Sequence, residues 1–225
     1  MAQPLIDSAA LISMFEQATA KQGAQLRKAT GDATLAALQG RELSLKNIRA
    51  ALKTVTEAAS QGMAKNVVPG VDPEALLDKA VAGMDDALLK AVQANQKALS
   101  TLAAQGANLR EGHLQKALSD LEKLEDSLFE TVKKAAASAS TPIAGAWGTV
   151  LEKMQAQGTQ AGAQASATAH DMATQMQAAV RSTRAASLRA ALVMAESYTA
   201  MVSGVLLGMS EALQTKAPEK QPTRK

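Results

Sequence analysis

Apolar residues in the middle of this chain follow one another at steps of three or four. The run is Leu77, Val81, Met84, Leu88, Val92, Asn95, Leu99, Leu102, Gly106, Leu109, His113, Ala117, Leu121, Leu124 and Leu128. That spacing marks one continuous seam on a helix and predicts a rod about 100 Å long at ~1.5 Å rise per residue. Consecutive four-steps move the repeat between 7 and 11 residues, so supercoiling should be weak. Asn95 and His113 fall on the seam, where polar residues ordinarily fix register. An earlier segment repeats the pattern less evenly, with Ile12, Phe15, Leu26 and Leu38 leading into Leu45, Ile48, Leu52, Val55, Ala59 and Met63. Gly31 or Gly40 could break it.

Prolines divide the chain. VVPGVDPE at 67–74 is a strong breaker followed by a helix start, with Asp72 as N-cap and Pro73 in the first helical position. SASTPIAG at 138–145 is a second break, with Thr141 as the expected N-cap before Pro142. No segment shows the period-2 alternation of a strand. The pattern predicts an all-α fold: an elongated antiparallel bundle of three long amphipathic helices at about 5–66, 74–138 and 142–214, four if the first breaks. Its seams should be coiled-coil-like, residues 1–215 should form a single domain, and the basic, proline-bearing 216–225 should be a disordered tail.

Composition sharpens this picture. Aromatics are 2% of residues while the apolar total is 47%, much of it alanine. Alanine cannot fill a deep interior, but it is the best helix former, so long helices meeting through narrow seams fit best. Residues 156–178 carry no Leu, Ile, Val or Phe. A helix there must pack closely through alanine or be held weakly. The start, MAQPLIDSAALISMFEQ, lacks a basic n-region and reads as no secretory leader, which makes a cytoplasmic location the expectation. The net charge of +3 is too small to imply a nucleic-acid partner by itself.

No motif supports catalysis or a cofactor. With no cysteine, thiolate chemistry and Cys-ligated metals are excluded. The two histidines, His113 and His170, sit on different segments, and no nucleophile elbow, phosphate loop or dinucleotide fingerprint occurs. The chain is therefore expected to be no enzyme, with no catalytic, cofactor or metal site. His170, Met172 and Met176 lie within seven residues and would suit Cu(I) in type, but on a helix His170 points about 160° from Met172. Methionine as gap-filler is the better reading. Arg181, Arg184 and Arg189 form a basic patch without interleaved aromatics, so nucleic-acid binding is not expected. The acidic stretch SDLEKLEDSLFE at 119–130 could instead lie near these arginines across the bundle.

The most apolar stretch, SYTAMVSGVLLGMSEAL at 197–213, has 14 uncharged residues between Glu196 and Glu211. A bilayer span needs ~20. The spacing of Gly204 and Gly208 allows close helix approach. Tyr198, Met201, Gly204, Val205, Gly208 and Met209 are thus the candidate packing or association residues, on a face that begins at Met194.

These features together, an Ala/Gln-rich, cysteine-free, aromatic-poor chain of amphipathic helices with a Lys/Pro tail, resemble the phasins, which coat polyhydroxyalkanoate storage granules. VQANQKALSTLAAQGANL (92–109) is similar to the helices of that family. The blocks QGANLREGHLQKALSDLEKLEDSLFETVKKAA (105–136) and RAASLRAALVMAESYTAMVSGVLLGMSEAL (184–213) are closer in style to an uncharacterised proteobacterial family with no assigned activity. The phasin resemblance implies a non-catalytic amphiphilic coat on a granule or lipid surface, with a hydrophobic polymer or lipid as partner and a homo-oligomer as its form. Two alternatives stand beside it: a self-associating scaffold forming an oligomer or filament, and a nucleoid- or partner-binding adaptor using the arginine patch.

Overall fold

The computed structural model describes residues 7–39, 44–66, 68–104, 112–182, 198 and 201–206. It is all-helical, with no strand among the described residues. Among the described residues eight α-helices follow one another: α1 (Ser8–Glu16), α2 (Gly23–Leu38), α3 (Leu45–Lys65), α4 (Pro73–Ala104), α5 (Gly112–Glu122), α6 (Leu124–Ser138), α7 (Thr141–Gln157) and α8 (Gln160–Ser182). Residues 201–206 are also helical. The three long helices expected from the pattern are therefore each divided, and the reasons are local.

The first division falls at residues 17–19. Asp7 caps the start of α1 by accepting from the Ala10 N–H at 2.9 Å. The amide of Asn66, just past α3, donates to the carbonyls of Phe15 (2.8 Å) and Ala18 (3.0 Å). Those carbonyls are thereby satisfied without a further helical turn. Thr19 then takes an extended backbone, and its N–H donates to Gln22 Oε1 at 3.0 Å. This is half of a capping box that restarts the chain. Gly31 breaks nothing. It sits inside α2, where a Cβ would stand 3.1 Å from the Gly83 carbonyl, so its role is close approach to α4. Gly40 lies outside the described residues.

Asp72 caps α4 as expected, accepting from the Glu74 N–H at 3.0 Å. At the other proline break the N-cap is Ser140, not Thr141, which is already the first helical residue. The mid-chain seam divides at Lys123, between α5 and α6, and residues 105–111 lie outside the described residues. In the last segment α7 ends at Gly158, whose φ of +70° only glycine adopts cheaply.

The centre of the fold is α4. Leu76, Leu77, Val81, Met84, Leu88, Val92, Leu99 and Leu102 are buried, and so are Ala80, Ala87, Ala91, Ala94 and Ala98 on the adjoining sides. Such a helix, apolar on most of its circumference, is enclosed by neighbours. These are chiefly α2, α7 and α8, with α3 packed on α1 and α6, and α5 on α8. The α3 seam follows the predicted positions: Ile48, Leu52, Val55, Ala59 and Met63 are all buried. Trp147 on α7 is fully buried, and its indole N–H donates to Ser60 Oγ of α3 at 2.8 Å.

Candidate functional site

The candidate association residues lie where the C-terminal helical residues meet α4. Tyr198 is buried, and its hydroxyl donates to Asn95 Oδ1. Val202 and Leu206, each one turn further on, are buried as well. Met201 and Val205 are half-buried against the core, and Gly204 is exposed with nothing within 4 Å of a Cβ built there. The structure thus brings Tyr198 into the core, keeps Met201 and Val205 at its edge, and leaves Gly204 open. The inward face runs through Val202 and Leu206, one position on from the stripe the sequence suggested. Gly208 and Met209 lie outside the described residues.

Asn95 is the polar seam residue that the sequence marked as a register device. It is fully buried, and its Nδ2 has no hydrogen-bond partner among the described residues. A buried amide donor without an acceptor is costly, so docking of Tyr198 carries a penalty beside its gain.

About three turns back along α4, a second polar contact holds the start of α8. Asp85 accepts from the backbone N–H groups of Gln160 (3.0 Å) and Ala161 (2.9 Å). Glu125 of α6 accepts from the Thr159 N–H (2.9 Å) and hydroxyl (3.1 Å), and Thr159 Oγ1 in turn accepts from the Gly162 N–H (3.0 Å). Every orphan donor at the start of α8 is therefore used, and two carboxylates meet the positive end of the helix dipole. Burial pushes the Asp85 carboxyl above its ordinary range, the two N–H donors oppose this, and Asp86 and Glu125 add to the rise. Asp86 itself is held in a two-point pair by Arg27 of α2 at 2.6 and 2.7 Å, and that hydrogen bond raises the Arg27 pKa. Sequence reading missed Asp85 entirely, because its partners lie 75 and 76 positions away.

The acidic stretch serves helix starts. Besides Glu125, Asp120 accepts from the Leu45 N–H at 3.2 Å, beside Ser44 at the start of α3. Arg181 falls in the last turn of α8, while Arg184 and Arg189 lie outside the described residues, so the expected pairing of this stretch with them does too. On α8, His170 is exposed and Met172 is buried, so these two do not converge; Met176 and His113 lie in α8 and α5. Among the described residues no group of three His, Asp or Glu side chains is placed to share a metal.

A cleft of about 460 Å³ lies between α3 and α6. Arg49, Lys53 and Glu57 line one wall, Glu130 and Lys134 the other, and Thr56 and Thr131 lie at its base. Both threonine hydroxyls donate to carbonyls of their own helices, and the charges are of mixed sign. Such a lining selects no ligand of one charge.

A protein-family model, described as a family of unknown function (DUF6781), matches residues 1–215, and the chain belongs to that family. No curated protein and no solved structure matches the chain.

Proposed function

We propose that the protein is a non-catalytic amphiphilic helical protein that coats a hydrophobic storage-granule or lipid surface in the cytoplasm, in the manner the phasin resemblance implies. The observation that supports this reading most is the seam of α8. Among the described side chains of α8 the buried positions are Ala161, Gly162, Ala165, Thr168, Ala169 and Met172. At ~0.8 kcal/mol per methyl-sized group, three alanines bury about as much as one leucine. By contrast α3 buries Ile48, Leu52, Val55 and Met63. Among the described residues Met14 is the one exposed large hydrophobic side chain, at 38%. The apolar seams of the described helices are therefore closed, and surface binding through them requires one to open. α8 is the least costly to lift.

Sedimentation with polyhydroxybutyrate particles or anionic liposomes, with far-UV circular dichroism on the same samples, tests the reading. Co-sedimentation with helicity kept or raised is the expected result. No binding, together with a discrete oligomer of constant mass, would remove the coat reading and leave the self-associating scaffold. That second reading draws on Gly204, a small residue facing open space on a helix whose other face is buried. No helix among the described residues is long and apolar enough to cross a membrane.

A further inference from the structure

The cleft between α3 and α6 sorts its hydrogen-bonding groups. Thr56 and Thr131 at its base are 1% and 8% exposed. Thr56 donates its hydroxyl proton to the Leu52 and Lys53 carbonyls at 2.9 and 3.0 Å, and Thr131 donates to the Ser127 carbonyl at 2.8 Å. Ser138, also in the lining, donates to the Ala135 carbonyl at 3.2 Å. With these protons committed, all three hydroxyl oxygens are left as acceptors, and a hydrogen-bond donor is what they can take.

The walls add charge of both signs. Arg49 uses its Nε on Ser127 at 3.3 Å and keeps its terminal nitrogens. Lys53 is paired with Glu57 at 3.7 Å, whereas Glu130 and Lys134 form no ion pair among the described residues. Three cations and two carboxylates leave the cleft one positive charge in surplus. Ala135 is the one apolar side chain in the lining, so an apolar ligand finds little to meet. We propose that this cleft binds a small zwitterion in which a primary ammonium is joined to a phosphate, the ammonium at the threonine base with Glu130 and the phosphate at Arg49 and Lys134.

Each part of that ligand answers a feature of the lining. A primary ammonium carries donors for the acceptor oxygens, and a trimethylated one carries none. An ammonium joined to a carboxylate is neutral overall and leaves the surplus charge unanswered. A phosphate monoester brings about −1.5 to −2 at pH 7, so the whole zwitterion is left at about −1. Guanidinium also matches phosphate geometry through paired N–H donors. The volume of about 460 Å³ lies in the range of small-molecule sites, about 300–1,000 Å³. Free aminoalkyl phosphates and the headgroup of an aminophospholipid share this chemistry. The headgroup is a diester whose one negative charge cancels its own ammonium, so the surplus favours the free monoester. None of this depends on the coat reading, which concerns the apolar seams.

Titration of the full-length protein with phosphoethanolamine, followed by backbone amide shifts and Trp147 fluorescence, tests the cleft. Trp147 donates to Ser60 Oγ, and Ser60 donates to the Thr56 carbonyl at 2.8 Å, which couples the indole to the base. Saturable shifts at 49–57 and 130–138 are the expected result. Ethanolamine, inorganic phosphate and phosphocholine should each bind about tenfold more weakly, the scale of one lost charge-assisted contact. Glu130→Gln should weaken phosphoethanolamine about tenfold and leave phosphate unchanged, while Lys134→Gln should weaken both. Both side chains are exposed, so the variants should fold as the wild type does. Absence of saturation, shifts centred elsewhere, phosphate bound as tightly as phosphoethanolamine, or Glu130→Gln bound as tightly as wild type would overturn the proposal. Phosphatidylcholine vesicles with and without phosphatidylethanolamine identify the source. Sedimentation only with the aminophospholipid, lost in Glu130→Gln, assigns the headgroup; binding of the soluble compound without sedimentation assigns the free monoester.

Discussion

Among the described glycines, Gly83 has the least room for a side chain. A Cβ there would collide with the Arg27 carbonyl and the Thr30 hydroxyl of α2. Thr30 is itself buried and already donates to the Leu26 carbonyl at 2.9 Å, so it cannot turn away freely. Gly83→Ala is expected to cost about 1–3 kcal/mol, the usual cost of overpacking, measured by urea denaturation. Gly145→Ala is the control: that glycine is helical, exposed and surrounded by open space, so the change should stabilise by up to about 1 kcal/mol. Equal effects from the two would mean that α2 and α4 are not in tight contact at Gly83. Asp85 makes a second residue-scale case. Asp85→Ala strands the Gln160 and Ala161 N–H groups and should cost about 1 kcal/mol, as loss of a cap does. Asp85→Asn keeps an acceptor and removes a charge that burial disfavours, so at pH 7 it should be near neutral or stabilising. The pH dependence follows from the direction of the shift. A carboxyl raised in the folded state adds stability below its unfolded pKa near 3.8 and loses it as pH rises through the folded value. Wild type should therefore gain on Asp85→Asn as the solution is acidified towards pH 4. A difference that stays flat between pH 7 and 4 would contradict the burial of that carboxylate.

At the scale of elements, helix type and several seams were legible in the sequence, and helix ends were legible only where a local signal marked them. Ile48, Leu52, Val55, Ala59 and Met63 were readable because large apolar side chains recur at helical spacing, and all five are buried. Asp72 before Pro73 was readable because its cap partner is two residues away. Thr19 and Gln22 form a start signal at capping-box spacing that the apolar pattern passes over, since it lies between apolar steps. The alanine faces of α4 and α8 were harder, because one methyl group scarcely distinguishes a buried position from an exposed one in the pattern. Asp85 and Glu125 were not readable at all: their N–H partners are 34 to 76 positions distant, and only the folded chain brings them together. Of the association candidates, the burial of Tyr198 fitted an apolar face, but the inward turn of Val202 and Leu206 in place of Met201 and Val205 shows only in the folded chain. Gly162 offers an element-scale test of the α8 start. A Cβ there would press on the Glu125 carboxylate, 2.6 Å from Oε1, and a flexible side chain yields by moving off. Gly162→Ala should therefore loosen α8 through its lost cap by about 1 kcal/mol, offset in part by alanine's better helix propensity. Exchange confined to α8 amides would register the loss.

For the whole molecule, the unequal seams predict that unfolding is not a single event. Large side chains join α3, α4 and α7, and Trp147 lies fully buried among them with its indole bonded to Ser60. It is the one tryptophan of the chain, so its fluorescence reports on that body and not on α8. Far-UV circular dichroism weighs all helices together, α8 included. If α8 leaves α4 before the body melts, ellipticity should begin to fall at a lower urea concentration than the tryptophan signal, and the two curves should not superimpose. Because the described side chains that α8 buries are mostly alanines, its denaturant dependence should also be shallower than that of the body. Gly83→Ala should move the tryptophan curve towards the early step. Superimposed curves in wild type would mean that α8 and α4 melt as one cooperative unit. A closed seam of alanines would then be as firmly held as one of leucines, and the case for opening at this seam rather than another would be lost.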